Sequence, residues 1–313
     1  MTSCSCFVLR HKVSFLLIST SPVCPTPTAK LRSATNPLLS ESWGKRRYLK
    51  LRVNRRLVLG LGVVLLGSSM NRALGGKRFI ASARSKGTIE DALKNVEWPE
   101  QFPFKDEDFQ RFDESPDTLF YESPRFVTHI DDPAIAALTQ YYSKVFPARN
   151  TPGVSILDMC SSWVSHFPKG YAQDSIVGMG MNEDELKRNP VLTDYIVQDL
   201  NLNPKFLFAD DSFDVVTNVV SVDYLTQPLA IFKEMRRVLK PGGLAIMSFS
   251  NRCFWTKAIS IWTSTGDDDH VLIVGSYFHY AGGFDSPQAL DISPNPGRSD
   301  PMYIVQAKKS AVV

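Results

Sequence analysis

The chain has 313 residues, enough for one large domain, or two small ones, with an extension. Its formal charge of +3 hides an asymmetry, because 16 of the 35 Lys and Arg residues but one of the 32 acids lie in residues 1–87. Residues 88–313 therefore carry about −12. An acidic body repels phosphate backbones, which excludes nucleic acid as the expected partner.

The N-terminal region has the composition of a targeting sequence. Residues 1–54 are rich in Ser, Thr, Pro, Lys and Arg, which is typical of a plastid transit peptide. Arg55-Arg56 then precedes the apolar run "LVLGLGVVLL", which is too short to span a bilayer and favours a twin-arginine thylakoid signal over residues 55–83. Small residues suited to cleavage occur at 73–75 and 81–83.

These features predict a chloroplast protein, in the thylakoid lumen or associated with the thylakoid membrane. Two alternatives remain open at this point: a stromal transit peptide with an incidental apolar patch, and an uncleaved anchor at the membrane surface. The expected domains are residues 1–54, 55–83, a helical and loop-rich cap over 84–150, and a main domain over 151–313.

Cysteine usage predicts neither a disulfide framework nor a metal site. Only Cys160 and Cys253 lie outside the N-terminal region, and no Cys/His spacing typical of zinc occurs. Few cysteine pairs meet disulfide geometry, so we expect these two thiols to be free.

Residues 84–150 contain many aromatic and proline residues. Asp131-Asp132-Pro133 predicts a helix start, with a capping acid followed by proline in the first turn. The aromatic side chains either line an apolar acceptor pocket or pack a cap on the main domain: Phe102, Phe104, Phe109, Phe112, Phe120, Tyr141 and Tyr142.

Strands and helices alternate after residue 153. The predicted strands are 154–158, 176–181, 213–220, 244–250 and two near the C-terminus, with a further strand end at Asp199. The predicted helices are 182–189, 228–239, 254–263 and 267–281. This order predicts an α/β three-layer sandwich with a mostly parallel, seven-stranded Rossmann-like sheet and an antiparallel C-terminal edge.

Residues 210–252, "DDSFDVVTNVVSVDYLTQPLAIFKEMRRVLKPGGLAIMSFSNR", resemble the C-terminal half of class I S-adenosylmethionine (SAM) dependent methyltransferases. The nearest type is the type 11 and ubiquinone/menaquinone-biosynthesis group. A looser resemblance covers about residues 150–309. The resemblance implies SAM as cofactor, a small-molecule acceptor, and a site beyond the carboxyl ends of the strands.

The resemblance also implies roles for particular residues. Asp158 corresponds to the acid of the first family motif, near the amino-acid end of SAM. Asp199 and Leu200 correspond to the residues that read the adenine. Ser221 lies at the strand end that lines the methyl-transfer site, and Tyr224 follows it.

The chain departs from the family at two places. The glycine positions of the first motif are filled in "DMCSSWV", and the acid that binds the ribose is replaced by Gly180. Ser161 and Ser162 offer hydroxyls for a carboxylate or ribose, and Trp163 offers a ring for the adenosine or the sulfonium. Asn182 or the adjacent Glu183 is the candidate to replace the acid that binds the ribose. The alternative is a loop that only packs, with Trp163 in the adenosine space.

Two side chains are candidates for catalysis. His129 is a candidate base and Tyr224 a candidate for polarising the acceptor, while Arg252 is a candidate for holding an anionic acceptor. Each is otherwise a packing or surface residue. The leading hypothesis is a plastid methyltransferase, and the alternatives are a non-catalytic binding or assembly protein on the same scaffold and a binder of another nucleotide. An NAD enzyme is disfavoured because the Gly-x-Gly-x-x-Gly pattern is absent after the first strand.

Overall fold

The computed structural model describes residues 75–83 and 87–311. The predicted transit peptide and the apolar run lie outside these residues. The strands are β1 Ser155–Met159, β2 Ser175–Gly180, β3 Asp194–Val197, β4 Phe213–Val219, β5 Leu239–Phe249, β6 Gln288–Asp291 and β7 Tyr303–Lys308. The helices are α1 Gly75–Ala83, α2 Asp117–Phe120, α3 Asp132–Val145, α4 Glu183–Arg188, α5 Pro228–Val238, α6 Ser260–Thr263 and α7 Asp267–Ala281.

The strands form one seven-stranded sheet in the order β3-β2-β1-β4-β5-β7-β6. The first five strands in that order are parallel, and β7 runs antiparallel to both β5 and β6. The predicted Rossmann-like sheet with an antiparallel C-terminal edge is therefore confirmed.

Both faces of the sheet are buried, which explains why its strands are continuous apolar runs. Successive residues of one strand enter different cores: Ile156 packs with Tyr142 of α3, whereas Leu157 belongs to the core that contains α5 and α7. Side chains alternate across a strand, so each strand contributes to both helical layers.

Two predicted boundaries differ from the structure. β5 begins at Leu239 and includes the "KPGG" turn, where Gly242 has a φ of 77°. The helix predicted over 254–263 is reduced to α6, because residues 250–259 cross the mouth of the sheet as irregular chain.

The aromatic residues of the cap mainly pack the fold. Phe102 and Phe109 meet Tyr277 of α7 at ring distances of 6.3 Å, and Phe104 contacts Phe79 of α1 at the same distance. Within the part of the chain that the structure describes, no helix is long and apolar enough to cross a bilayer.

Candidate active site

A cavity of about 780 Å³ opens at the carboxyl ends of β1 to β4. The strand order reverses between β1 and β4, and ligands of open parallel sheets bind beside that reversal. Nine of the ten predicted site residues line the cavity: His129, Asp158, Ser161, Ser162, Asn182, Asp199, Leu200, Ser221 and Tyr224. Trp163 is the exception.

The Asp158 carboxylate organises the loop that follows β1. Oδ2 accepts hydrogen bonds from the hydroxyls of Ser161 at 2.6 Å and Ser165 at 2.7 Å, and Oδ1 accepts one from Thr217 at 2.7 Å. Burial raises the pKa of the Asp158 carboxyl, and these hydrogen bonds offset part of the rise. Asp158 thus shapes the cavity floor, and the Ser161 hydroxyl is already engaged with it.

Cys160 is the residue at which the resemblance implied the first glycine of the loop after β1. Its φ of 56° lies in the left-handed region that favours glycine, so the loop has a glycine-like backbone without the glycine. A side chain in that conformation costs roughly 1–2 kcal/mol. Desolvation raises the pKa of the Cys160 thiol to about 12, so it stays protonated near neutral pH. Cys160 and Cys253 are both free, as expected.

Gly180 allows this loop to approach the end of β2. The Ser161 N–H donates to the Met179 carbonyl at 2.8 Å, and a Cβ on Gly180 would overlap the Ser161 carbonyl oxygen. The close approach therefore requires glycine on the strand rather than in the loop. With the loop in this position, the acidic side chain of the family has no room at Gly180.

Asn182, a candidate substitute for that acid, already uses its whole amide. Oδ1 accepts the N–H groups of Asp184 at 3.0 Å and Glu185 at 3.1 Å and so caps α4. Nδ2 donates to the carbonyls of Tyr121 at 2.9 Å and Glu122 at 3.2 Å. Asn182 joins α4 to the cap, and a ribose hydroxyl would have to displace one of these bonds.

Two other candidates lie outside the cavity lining. The Trp163 Nε1–H donates to the Val127 carbonyl at 2.8 Å, and its ring meets Phe126 edge-on at 6.2 Å. Glu183 pairs with Lys187 on the surface at 2.9 Å. Trp163 therefore joins the cap to the loop after β1 and does not fill the cavity.

The end of β3 presents a carboxylate beside an apolar side chain. Asp199 Oδ1 accepts the N–H groups of Asn201 at 2.9 Å and Leu202 at 3.3 Å, which fixes the turn. Leu200 is 6% exposed and still lines the cavity. A fixed carboxylate next to an apolar surface suits a flat ring that carries an amino group.

Gln198 is a lining residue that the sequence reasoning missed. Its Nε2 donates to the carbonyls of Asn203 at 2.8 Å and Lys205 at 2.9 Å, whereas its buried Oε1 has no partner among the described residues. A buried acceptor without a partner costs about 1–3 kcal/mol, which a ligand donor would recover. Gln198 is a polar residue one position before Asp199, and that proximity was the available sequence signal.

Phe254, after β5, brings the two candidate catalytic residues to one wall. Its N–H donates to the Tyr224 Oη at 2.7 Å, and its ring stacks on that of Tyr224 at 6.1 Å. The His129 imidazole meets the same phenyl ring edge-on at 5.6 Å. His129 has a φ of 66°, a strained value for a residue other than glycine.

Burial shifts the pKa values of Tyr224 and His129 in opposite directions. It raises the pKa of Tyr224 well above its ordinary value, so the phenol keeps its proton and can donate a hydrogen bond. Burial and the charge of Arg125 lower the pKa of His129, so the imidazole is neutral near pH 7. A neutral imidazole can accept a proton.

A buried ion network holds the cap to the segment after β5. The Lys257 Nζ, 1% exposed, lies 3.3 Å from Asp117 Oδ1 and donates to the Ser115 carbonyl at 2.6 Å. Arg111 Nη1 binds both oxygens of Asp117 at 2.7 Å, and Asn201 Nδ2 donates to Asp117 Oδ2 at 2.9 Å. The network fixes the cap over the end of β3.

The other end of the cap is hydrogen-bonded to the loop before β7. The Asp131 N–H donates to Asp300 Oδ2 at 3.0 Å, and the Asp300 N–H donates to Asp131 Oδ2 at 2.9 Å. Asp131 Oδ1 accepts the Ala134 N–H at 3.0 Å, which confirms it as the cap of α3. Arg252, with its Nε 3.8 Å from Asp300 Oδ1, completes this part of the cavity rim.

One protein family matches part of this chain. The "Methyltransferase domain" family matches residues 170–247, about a quarter of the chain. This match supports the class I SAM-dependent methyltransferase superfamily. A search of the curated proteins finds no match.

Similar solved structures include a chain of the Haloferax volcanii complex between the Trm112 methyltransferase activator and a methyltransferase. The two chains have 14% sequence identity and a TM-score of 0.43, and the alignment covers 56% of this chain and 90% of that one. A SAM-dependent methyltransferase from Thermotoga maritima has 16% identity, a TM-score of 0.41 and coverages of 57% and 91%. One from Mesorhizobium loti has 16% identity, a TM-score of 0.38 and coverages of 55% and 97%. The fold assignment rests on the strand order itself.

Proposed function

We propose that the protein is a SAM-dependent methyltransferase that acts on a small-molecule acceptor. The observation that carries this proposal is the open cavity at the strand ends, which gathers nine of the ten residues expected there. The cap covers that cavity and supplies His129 to it, as an enzyme that must exclude water would require.

The residues present fit SAM at its adenine end and at its sulfonium. Asp199 and Leu200 suit the adenine, and the unpartnered Oε1 of Gln198 suits a ligand donor. Carboxylates outnumber cations in the lining, which favours a sulfonium cation. The ribose lacks the family's carboxylate, so its hydroxyls would depend on groups such as Ser162.

When bound, SAM would supply an electrophilic methyl group, whose carbon an acceptor lone pair would attack as the carbon–sulfur bond breaks and the neutral thioether leaves. His129, whose neutral imidazole contacts the Phe254 ring on which Tyr224 stacks, would take the proton that the acceptor nucleophile loses. Tyr224, held by the Phe254 N–H, would donate its own proton in a hydrogen bond to an acceptor oxygen. Ser221 would border the transferring group at the end of β4.

Calorimetry with SAM and with S-adenosylhomocysteine (SAH) on the full chain tests the cofactor. We expect both to bind, and we expect Asp199→Ala to weaken both about tenfold or more, as loss of a charged hydrogen-bond acceptor should. Asp174→Asn, an exposed acid outside the lining, is the matched control. Absence of binding at millimolar ligand would leave the scaffold as a non-catalytic binding or assembly protein, or as a binder of another nucleotide.

We further propose that the protein acts in the chloroplast, at or inside the thylakoid. The support is the composition of residues 1–54 and the Arg55-Arg56 pair before the apolar run. N-terminal sequencing of the protein from isolated thylakoids tests this, and a mature start before residue 50 would contradict a lumenal location. A lumenal form would need SAM to cross a further membrane.

A further inference from the structure

Arg125 lies in the cavity wall, enclosed by aromatic rings. Its guanidinium carbon is 4.2 Å from the ring centre of Phe120, 5.4 Å from that of Phe254 and 5.8 Å from that of Tyr121. Among the described residues its side chain forms no hydrogen bond or ion pair, and its Nη1 is sealed from solvent without a partner. A guanidinium nitrogen that is shielded from solvent without a hydrogen-bond partner is unfavourable.

Other enclosed arginines of this chain are paired with carboxylates. Arg111, with its side chain 7% exposed, binds Asp117 at 2.7 Å. Arg237 is bound by Glu234 and Asp210, each at 2.7 Å. Arg125 is also enclosed, but among the described residues no carboxylate pairs with its guanidinium.

Among the described residues, no acid forms an ion pair with the guanidinium of Arg125. Glu185 accepts the backbone N–H of Arg125 at 2.6 Å and forms no ion pair with its guanidinium. Asp117 is paired with Arg111, and Asp158 is held by three hydroxyls. None of these three carboxylates pairs with the guanidinium of Arg125, which leaves that group available to a ligand.

We propose that Arg125 binds a carboxylate carried by the methyl acceptor, whose apolar body packs against Phe254 and Tyr224. This inference rests on the proposed function, because it assigns the acceptor to the same cavity. A guanidinium binds a carboxylate through two parallel hydrogen bonds, and the surrounding rings exclude the water that would compete. Contact with Phe254 also places the acceptor beside His129.

A matched pair of probes tests the inference on the full chain. 4-Hydroxybenzoate and 4-hydroxybenzamide share a ring and a hydroxyl and differ in charge, and their affinities are measured by calorimetry with and without SAH. We expect the acid to bind about 10- to 100-fold more tightly than the amide. Arg125→Gln should abolish that preference, and Arg125→Lys should keep part of it because the charge remains.

Arg188→Gln is the control variant. The Arg188 guanidinium also lies over an aromatic ring, 3.9 Å from the centre of Phe126, but Arg188 does not line the cavity. This variant should keep the full preference for the acid. Circular dichroism and thermal melting establish that each variant is folded before its affinities are compared.

Three results would overturn the inference. The first is equal affinity for the two probes, or binding of neither. The second is a preference that survives in Arg125→Gln. The third is a loss of SAH affinity in Arg125→Gln without a loss for 5′-methylthioadenosine, which lacks the amino-acid carboxylate, because the anion would then belong to the cofactor. Failure of SAH to bind the wild type, with an acid preference that needs Arg125, would remove the proposed function and keep the anion site.

Discussion

Gly180 and Ser161 are in contact at a point where a side chain does not fit, since a Cβ on Gly180 would overlap the Ser161 carbonyl oxygen. The departure at Gly180 and the departure in the loop after β1 are therefore linked. The loop that carries Cys160, where the resemblance implied a glycine, packs against the strand end. That packing requires glycine at position 180, where the resemblance implied an acid.

Restoring the family acid at this position should damage the protein rather than improve it. Gly180→Asp should lower the free energy of unfolding by about 1–3 kcal/mol, because the added atoms meet backbone that cannot move aside cheaply. It should not tighten SAH binding in calorimetry. Gly266→Ala is the control, since nothing lies within 4 Å of its added Cβ. Tighter SAH binding by a stable Gly180→Asp variant would contradict the observed loop position.

The cap should loosen when Lys257, the buried lysine of the segment after β5, loses its charge. Lys257→Met leaves Asp117 without one of its cations, and removal of one partner from a buried ion pair costs about 3–5 kcal/mol. We expect lower stability in urea and faster proteolysis within residues 111–125. Lys187→Met, which breaks the exposed pair with Glu183, should change neither. A Lys257→Met variant as protease-resistant as the wild type would show that the network does not hold the cap.

Asp223 should make stability depend on pH. Burial raises the pKa of its carboxyl to about 8, and its Oδ2 has no partner among the described residues. A carboxyl whose folded-state pKa is raised stabilises the fold while protonated, fully below about pH 4, and this contribution is lost as the pH rises through the folded-state value.

Asp223→Asn keeps the shape of the side chain and cannot ionise. Between pH 5 and pH 8 its free energy of unfolding should fall less than that of the wild type, by a few kcal/mol. Urea unfolding at each pH unit measures the difference, with Asp174→Asn as an exposed control. If the free energies of unfolding of the variant and the wild type changed equally with pH, the pH dependence would arise from a group other than Asp223.

Helix α1 should matter for the stability of the processed chain. Phe79 and Ile80 are 6% and 2% exposed, and the Phe79 ring lies 5.6 Å from that of Trp98. A chain that begins at residue 84 loses both side chains and should melt at a lower temperature than one that begins at residue 75. Phe79→Ala should cost about 3 kcal/mol. Equal melting temperatures for the two chains would mean that processing at 81–83 leaves the core intact.

The sequence predicted the sheet because its strands and helices carry local patterns. The Val- and Phe-rich run over 213–220 and the amphipathic helix after Pro228 needed no tertiary information. The end of each strand also marked where site residues lie, since parallel strands share their carboxyl edge. That rule placed Asp158, Asp199 and Ser221 together.

The side-chain contacts of the site were beyond such rules. Trp163 was expected in the cavity, but its partner is a carbonyl 36 residues away, at Val127. Arg125 and Gln198 became candidates only when the fold revealed which of their atoms lack partners. Interactions between residues distant in the chain depend on how the cap docks, and no local pattern encodes that docking.

The reciprocal hydrogen bonds between Asp131 and Asp300 join residues 169 positions apart. Such a contact must wait until Asp300 has left the ribosome, after the five parallel strands. Long-range contacts of this kind also form slowly, since a large loop must close first. The five parallel strands can thus pair before the ligand chamber is sealed, whereas β7, which follows Asp300, joins the sheet together with the segment that seals the chamber.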